Sequence, residues 1–375
     1  MIFAFSDEQR ELAATLRRFL QDKSGSSEVR RLMATETGYD PRTWSQLAGQ
    51  LGLPGLIVPE KHGGSGAGPV ELALVCEEMG RALLCAPFFA TAVLAVRALL
   101  ASGDQAAADE FLPGIADGST IATLAVCEDD GAWAADGVST RARRSGEGEG
   151  DGYVLDGRKS FVIDGHTAGL LLVVARAEGG PSLFAVRGDA EGLARRTLRT
   201  LDPTRKQAAL SLQAVPARLI GAEGSAGDVV AATLRLAAVA LAAEQVGGAQ
   251  RCLDMSVEYA KIRMQFGRPI GSFQAIKHMC ADMLLEVESA RSAAYYAAWA
   301  AQDGSDELPL LASLAKACCS EAYFRAAADN IQIHGGIGFT WEHDAHLYYR
   351  RAKSTELMLG TPAEHREIAA GYLIG

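Results

Sequence analysis

A mainly helical α+β fold in three parts is what the sequence predicts, and three features carry the prediction. Apolar residues at helical spacing occupy the first hundred positions. Short β-branched or alternating runs between Gly- and Asp-rich turns occupy roughly the next hundred, and long Ala- and Leu-rich stretches of helical period fill the remainder. The parts are an N-terminal helical domain over 1–117, a middle antiparallel β-barrel-like domain over 118–224 and a C-terminal four-helix bundle over 225–375. With 375 residues, 49% of them hydrophobic, the chain is long enough to bury a core in each.

Phe5-Ser6-Asp7-Glu8 reads as a capped helix start, with Leu12, Leu16 and Leu20 one turn apart behind it. Trp44 to Leu53 and Val70 to Leu84 repeat the pattern across the breaker Gly63-Gly64-Ser65-Gly66, and the run from Ala86-Pro87 to Leu100 continues it. Near Ser119 the texture changes. Thr120–Val126, Gly152–Leu155, Lys159–Ile163, Leu170–Ala175, Ser182–Val186 and Ala209–Leu212 read as strands. Gly146 to Gly152 spells a glycine-rich loop, but strand-like residues follow it and no helix does, so it reads as a hairpin turn. Arg141-Ala142-Arg143-Arg144 reads as a solvated turn. Beyond Gly227 the expected helices are Val229–Arg263, Ser272–Gln302, Glu307–His334 and a last one over Pro362–Leu373.

Charge and composition exclude several classes. Lys and Arg number 36 against 46 Asp and Glu, a net charge of −10, which disfavours nucleic acid and anionic membrane as partners. No membrane span is expected, because no apolar run looks as long as about 18–20 residues. The acidic amphipathic opening lacks the basic and apolar regions of a signal peptide. Cys76, Cys85, Cys127, Cys252, Cys280, Cys318 and Cys319 form no C-x-x-C pair, so buried reduced thiols in a cytoplasmic protein are expected. His334, His343 and His346 lie close together without a completing ligand, and no metal is expected. Arg350-Arg351-Lys353 is a basic patch that suits a phosphate or a neighbour's carboxylates, and both readings stay open.

Two strings carry chemistry that suits either a dinucleotide or a purely local role. Tyr259-Ala260-Lys261-Ile262-Arg263-Met264-Gln265-Phe266-Gly267-Arg268-Pro269-Ile270, followed by Phe273-Gln274, offers a guanidinium fork at Arg263 that matches a pyrophosphate. Gln265 and Gln274 add neutral hydrogen bonds, and Phe266 an apolar face. The second string, Gln332-Ile333-His334-Gly335-Gly336-Ile337-Gly338-Phe339, has glycines that let backbone N–H groups approach a ligand closely. A local alternative pairs Arg263 with Glu258 and makes Gly335-Gly336 ordinary helix-end glycines. These strings, with Gly52-Leu53-Pro54-Gly55 through Gly63-Gly64-Ser65-Gly66 and the order of the parts, resemble the acyl-CoA dehydrogenases over essentially the whole chain. The resemblance implies FAD as cofactor, held by Arg263, Gln265, Phe266, Gln274, Gln332, Gly335 and Gly336 at its adenine and diphosphate end, much of it a neighbouring subunit's FAD. It also implies Phe161 as the aromatic packed on the flavin, acyl-CoA as substrate and electron-transfer flavoprotein as acceptor.

Departures from the family pattern fall on one side of that site. The family's base is a glutamate just before a Gly-Thr pair, where this chain has Leu359 before Gly360-Thr361, or a glutamate early in the long helix, where it has Ala237. Neither side chain accepts a proton. The flavin-bonding hydroxyl of the Phe161-Val162-Ile163 element is replaced by Ile163, and the family's Thr/Ser-Glu-Pro-Gly loop by Cys127-Glu128-Asp129-Asp130-Gly131. Glu244, two turns from Ala237, is the one remaining carboxylate on that helix face; in so apolar a stretch it is either a base of raised pKa or a structural glutamate paired with Arg or Lys. The catalytic residue is therefore left unassigned. The pattern implies the non-catalytic subunit of an α2β2 acyl-CoA dehydrogenase, resembling actinobacterial enzymes of steroid side chains, which completes the FAD site of a homologous partner. Alternatives are a self-sufficient homotetramer with an unusual base, a flavin-free structural relative, and another flavin reaction of the monooxygenase or nitroalkane oxidase type.

Overall fold

The computed structural model describes residues 4–145 and 152–374, so the hairpin turn expected from Gly146 lies, apart from Gly152, outside the described residues. In chain order the elements begin with α1 (Asp7–Lys23), α2 (Ser26–Met33), α3 (Pro41–Gly49) and α4 (Pro69–Arg81). A π-helical stretch, Phe89–Ala95, runs into α5 (Val96–Ala101), and α6 (Gln105–Ala116) follows. Next come β1 (Ala122–Ala125), β2 (Arg141–Arg144), β3 (Gly152–Ile163), β4 (Leu170–Ala177), β5 (Gly180–Arg187), β6 (Leu193–Thr197) and β7 (Gln207–Ile220). The remainder is α7 (Ala226–Ile262), the short pair β8 (Met264–Gln265) and β9 (Arg268–Pro269), α8 (Gln274–Gln302), α9 (Leu308–His334), α10 (Ala345–Leu357) and α11 (Pro362–Ile374).

The helix start at Ser6 is a full capping box. The Ser6 hydroxyl accepts from Gln9 N at 3.2 Å while Gln9 Oε1 accepts from Ser6 N at 3.0 Å. Asp40 and Asp104 cap α3 and α6 through their carboxylates alone, which accept from Thr43 N and Ala107 N. The elements that sequence reading passed over are α2, α6, α10, β2, β6 and the short pair β8 and β9. Arg141–Arg144 is strand β2 and not a solvated turn: only Ala142 is buried, and a strand with a single inward residue has no visible period.

By its contacts the chain divides into two compact units, one made of Arg31–Gly68 and Cys85–Ala237, the other of the remaining stretches up to Arg30, Pro69–Leu84 and from Ala238 onward. The first unit contains the β sheet. Neighbouring strands run β1-β4-β2-β3-β7-β5, and β5 pairs back onto β4, which closes a barrel; β6 pairs β7 outside the ring. One part of the expectation fails, for β1 runs parallel to β4, Ala122 opposite Leu170, and β2 meets β4 in a single parallel bridge. No hairpin joins those strands, so no tight turn dictates their direction. Leu155, Leu171, Val173, Phe184, Leu212 and Val215 fill the interior.

The second unit packs α1, α4 and the C-terminal helices. Glycines set its closest crossing. A Cβ on Gly80 of α4 would lie 2.0 Å from the Glu244 carbonyl, and one on Gly247 of α7 would lie 1.8 Å from the Glu77 carbonyl, so the two backbones touch where a side chain would part them. The unit has five C-terminal helical segments, α10 being the one beyond the expected four. The long helix α7 also corrects the sequence estimate of apolar runs. It holds an 18-residue window of mean hydropathy 1.6, long enough to cross a bilayer, of which 67% is buried inside the protein. Five of the seven cysteines are buried as expected, Cys280 is half-buried and Cys318 exposed.

Candidate functional site

The two C-terminal strings form one end of the helical unit. Helix α7 stops at Ile262, and Arg263 N–H donates to the Tyr259 carbonyl at 2.9 Å. A two-residue corner then reverses the chain. Phe266 (φ +51°) and Gly267 (φ +74°) are both left-handed, which a hairpin corner of this twist demands. Phe266 bears that conformation without being glycine, at a cost of about 1–2 kcal/mol. The Ile270 N–H closes the loop on the Arg263 carbonyl at 2.8 Å, and Gln274 opens α8 immediately after.

Helix α9 delivers the second string beside the first. The ring of Tyr259 stacks on that of His334 with centroids 4.3 Å apart, and the Ser256 hydroxyl donates to Asn330 Oδ1 at 3.0 Å, so the ends of α7 and α9 are tied together. Gly335 (φ +65°, ψ −144°) turns the chain in a region only glycine enters freely. A Cβ on either Gly335 or Gly336 would meet nothing within 4 Å, so these backbone groups face open space. Arg263, Gln265, Phe266, Gln274, Gln332, Gly335 and Gly336 are all exposed and share this end of the unit. Eight consecutive residues from Lys261 to Arg268 are exposed, with Phe266 at 92%; Phe339 nearby in sequence to Gly336 reaches 81%. Apolar side chains so bare on one chain are those an assembly or a ligand covers.

The local alternative for Arg263 does not hold. Glu258 pairs with Arg251 at 3.5 Å, and Arg263 has no ion pair among the described residues. A free guanidinium, three neutral amides, a projecting aromatic ring and open glycine backbone fit a dinucleotide's diphosphate and ring end.

The opposite chemistry is absent where the family would place it. Leu359 is buried and left-handed (φ +62°), and Ala237 is fully buried. Glu244 is 4% exposed, and its Oε1 accepts from Arg351 Nη1 at 2.9 Å. It is paired with a residue 107 positions away that no local pattern discloses. The basic patch therefore disperses: Arg351 turns inward to Glu244, Lys353 pairs with Glu356 at 2.7 Å, and Arg350 lies over the Trp341 ring at 4.6 Å. Glu244→Gln is expected to change any dehydrogenation rate of the assembled enzyme by less than about tenfold, roughly 1.4 kcal/mol of barrier. It should lower the melting temperature, because it leaves Arg351 buried without its carboxylate. Stopped-flow flavin reduction and a thermal melt of the same variant check both halves.

Phe161 belongs to the β unit. It stands in a bulge of β3 at φ +57°, 42% exposed, at a cleft of about 380 Å³ that also touches Arg158, Ser160 and Arg196. Ile163, two residues on, is fully buried and brings no hydroxyl; its carbonyl accepts from Thr123 Oγ1 at 2.6 Å. In the Cys127–Gly131 loop, Glu128 has a structural task that sequence reading missed. It accepts from Thr140 N at 2.9 Å, Thr140 Oγ1 at 2.7 Å and Ser139 N at 2.8 Å, and pairs with the fully buried Lys159 at 2.9 Å. Burial alone would raise its carboxyl, but the Ser139 and Thr140 donors outweigh that and hold it at about 2. Among the described residues no three His, Cys, Asp or Glu side chains converge as a metal site.

Comparison with known proteins agrees in every part of the chain. Three family models match: acyl-CoA dehydrogenase, N-terminal domain, over residues 6–119; middle domain, over 123–215; and C-terminal domain, over 226–373. The acyl-CoA dehydrogenase IpdE2 of Mycobacterium tuberculosis is 35% identical, the match covering 96% of this chain and 95% of that protein. Among solved structures, a variant of the Tcur3481-Tcur3483 steroid ACAD superposes with a TM-score of 0.86 at 33% identity, covering 98% of both chains. The ChsE4-ChsE5 complex from Mycobacterium tuberculosis gives 0.89 at 28% identity, over 100% of this chain and 99% of that one.

Proposed function

The chain belongs to the acyl-CoA dehydrogenase family of oxidoreductases, and from that premise we propose that it works in FAD-dependent α,β-desaturation of acyl-CoA thioesters as the subunit that completes a partner's FAD site. One observation carries the proposal: the residues suited to a dinucleotide are exposed together, while both positions at which the family carries its base hold side chains that accept no proton. Leu359 and Ala237 have no basic atom, and Glu244 is committed to Arg351. Two relatives of similar fold, whose names each join two chains, support a heterotetramer with a homologous partner that carries the base. The steroid named for one of them makes a bulky acyl group the substrate class to try first. The acceptor expected from the family is electron-transfer flavoprotein. No disulfide joins the seven cysteines, which supports a reducing compartment such as the cytoplasm.

In this reading Arg263 binds the diphosphate of the partner's FAD through its fork of donors. Gln265, Gln274 and Gln332 bond polar groups without adding charge, Phe266 covers the apolar ring, and the N–H groups of Gly335-Gly336 approach closely. FAD, when bound, supplies the acceptor for the hydride leaving the β-carbon. On its own β unit the chain keeps the aromatic wall of Phe161 but offers no hydroxyl at Ile163.

The isolated chain should be colourless or carry well under one FAD per chain, with negligible turnover of straight-chain acyl-CoAs. Co-expression with an acyl-CoA dehydrogenase partner that has a glutamate at either base position should give a yellow complex bleached anaerobically by its acyl-CoA. A purified homotetramer with one flavin per chain and rapid oxidation of butyryl- or octanoyl-CoA would sink the proposal in favour of a self-sufficient enzyme.

A further inference from the structure

Lys316 is fully buried in α9, and no carboxylate pairs with it among the described residues. Its ammonium donates to three neutral acceptors: Ser320 Oγ at 3.0 Å on its own helix, the Glu356 carbonyl at 3.1 Å and the Gly360 carbonyl at 3.1 Å. Behind it, Gln245 Nε2 of α7 donates to the same Ser320 hydroxyl at 3.0 Å. The two carbonyls flank the turn that ends α10. Glu356 lies in the last turn of the helix, where carbonyls lose their own partners, and Gly360 follows the left-handed Leu359 with φ +104°. The Leu359 carbonyl is held separately, by His365 Nε2–H at 3.0 Å, and Glu364 caps Thr361 N at 2.6 Å.

A buried cation facing only neutral acceptors is not a means to stability, since an apolar side chain of the same length would avoid its desolvation. What it does, and methionine cannot, is tie the residues before and after position 359 to one atom. We propose that Lys316 is the positioning residue for position 359: it clamps the 356–360 turn in the conformation that directs the 359 side chain inward, and this scaffold persists here although the side chain is leucine. The meaning of the clamp for catalysis rests on the family reading, in which active members carry their base at this turn. The clamp itself rests on the geometry alone.

Burial pushes the Lys316 ammonium down to about 8, below the usual lysine range. The charged or titratable groups facing it are Cys319 on α9, Glu356 on α10, and Glu364 and His365 on α11, with the neutral Gln245 on α7. Burial raises Cys319, its Thr361 hydrogen bonds lower Glu364, and burial lowers His365, so these three hold one state across the range in which Lys316 loses its proton.

Hydrogen–deuterium exchange of the full chain tests the clamp without any flavin. In Lys316→Met, peptides over 356–361 should exchange at least about tenfold faster while α9 and the body of α10 stay protected and the melting temperature is equal or higher. Lys316→Arg, whose planar fork cannot converge on the three acceptors, should also speed exchange over 356–361, with a lower melting temperature from overpacking the buried site. Because the folded Lys316 stands at about 8, below a solvated lysine at about 10.4, wild-type stability should rise between about pH 8 and pH 10, and the Met variant should lack that rise. Unchanged exchange at 356–361 would overturn the inference. So would faster exchange spread evenly over α9, α10 and α11 with a lowered melting temperature, which would make Lys316 an ordinary core residue. Either failure leaves the partner-subunit reading standing, and an inactive or flavin-free complex leaves the clamp standing.

Discussion

Arg263→Ala should strip FAD from the assembled enzyme while leaving this chain folded. The side chain is exposed and has no ion pair among the described residues, so its removal takes nothing from the fold. Lost instead is a charge-assisted contact to a phosphate that the assembly has desolvated, worth about 2–5 kcal/mol and therefore roughly 30-fold or more in FAD affinity. FAD absorbance per complex after gel filtration reads the first quantity, and a melt of the isolated variant reads the second. Full FAD occupancy together with a large fall in melting temperature would make Arg263 a structural residue. The milder substitution Arg263→Lys should recover only part of the loss, because a point charge cannot meet two phosphate oxygens with a planar fork.

The largest effect on stability is expected at the Glu128–Lys159 pair, and it should depend on which partner is removed. Glu128→Ala leaves Lys159, 0% exposed, with the Val126 carbonyl at 3.0 Å as acceptor and no counter-ion, a loss of about 3–5 kcal/mol. Lys159→Met leaves a carboxylate still bonded by Ser139 and Thr140, and should cost distinctly less. In the double variant the two losses should not add. Acid acts on the same pair. The Glu128 carboxyl stands at about 2 in the folded chain against about 4.3 unfolded. A depressed carboxylate contributes its full stability above the unfolded value and loses it as pH falls through the interval toward about 2. Urea unfolding from about pH 5 to pH 2.5 should thus show a decline that Glu128→Gln makes shallower, the remainder coming from other lowered carboxylates such as Asp40 and Asp104. Equal losses for the two single variants, or an unaltered acid slope, would refute this account.

Where the chain repeats a period, its structure could be read in advance. Leu12, Leu16 and Leu20 announce α1, the Ala-rich stretches announce α7, α8 and α9, and the alternating runs announce β3, β4, β5 and β7. Elements without a period escaped. Helix α10 hides under the charged residues Arg350, Arg351 and Lys353, of which Arg351 alone turns fully inward to a charge. Strand β2 hides under three arginines for the same reason. The exposed end that we propose meets a dinucleotide was also legible as a cluster, because its residues lie in two continuous strings whose side chains need no partner within the chain.

By itself the sequence determined the class of fold, the family and the absence of a proton acceptor at 359 and 237, since each is a property of residue type at a position. Tertiary structure alone decided what the remaining polar groups do. Glu244 reads as either a base or a paired glutamate until Arg351 is found against it; Glu128 is one acid in an acidic loop until Lys159 is found beneath it; and Lys316 is an unremarked lysine until two carbonyls some forty residues on close over it. A helix or strand is set by neighbours along the chain, within a few residues. The state of a buried charge is set by whichever distant group meets it in three dimensions, because away from water only that partner offsets its desolvation.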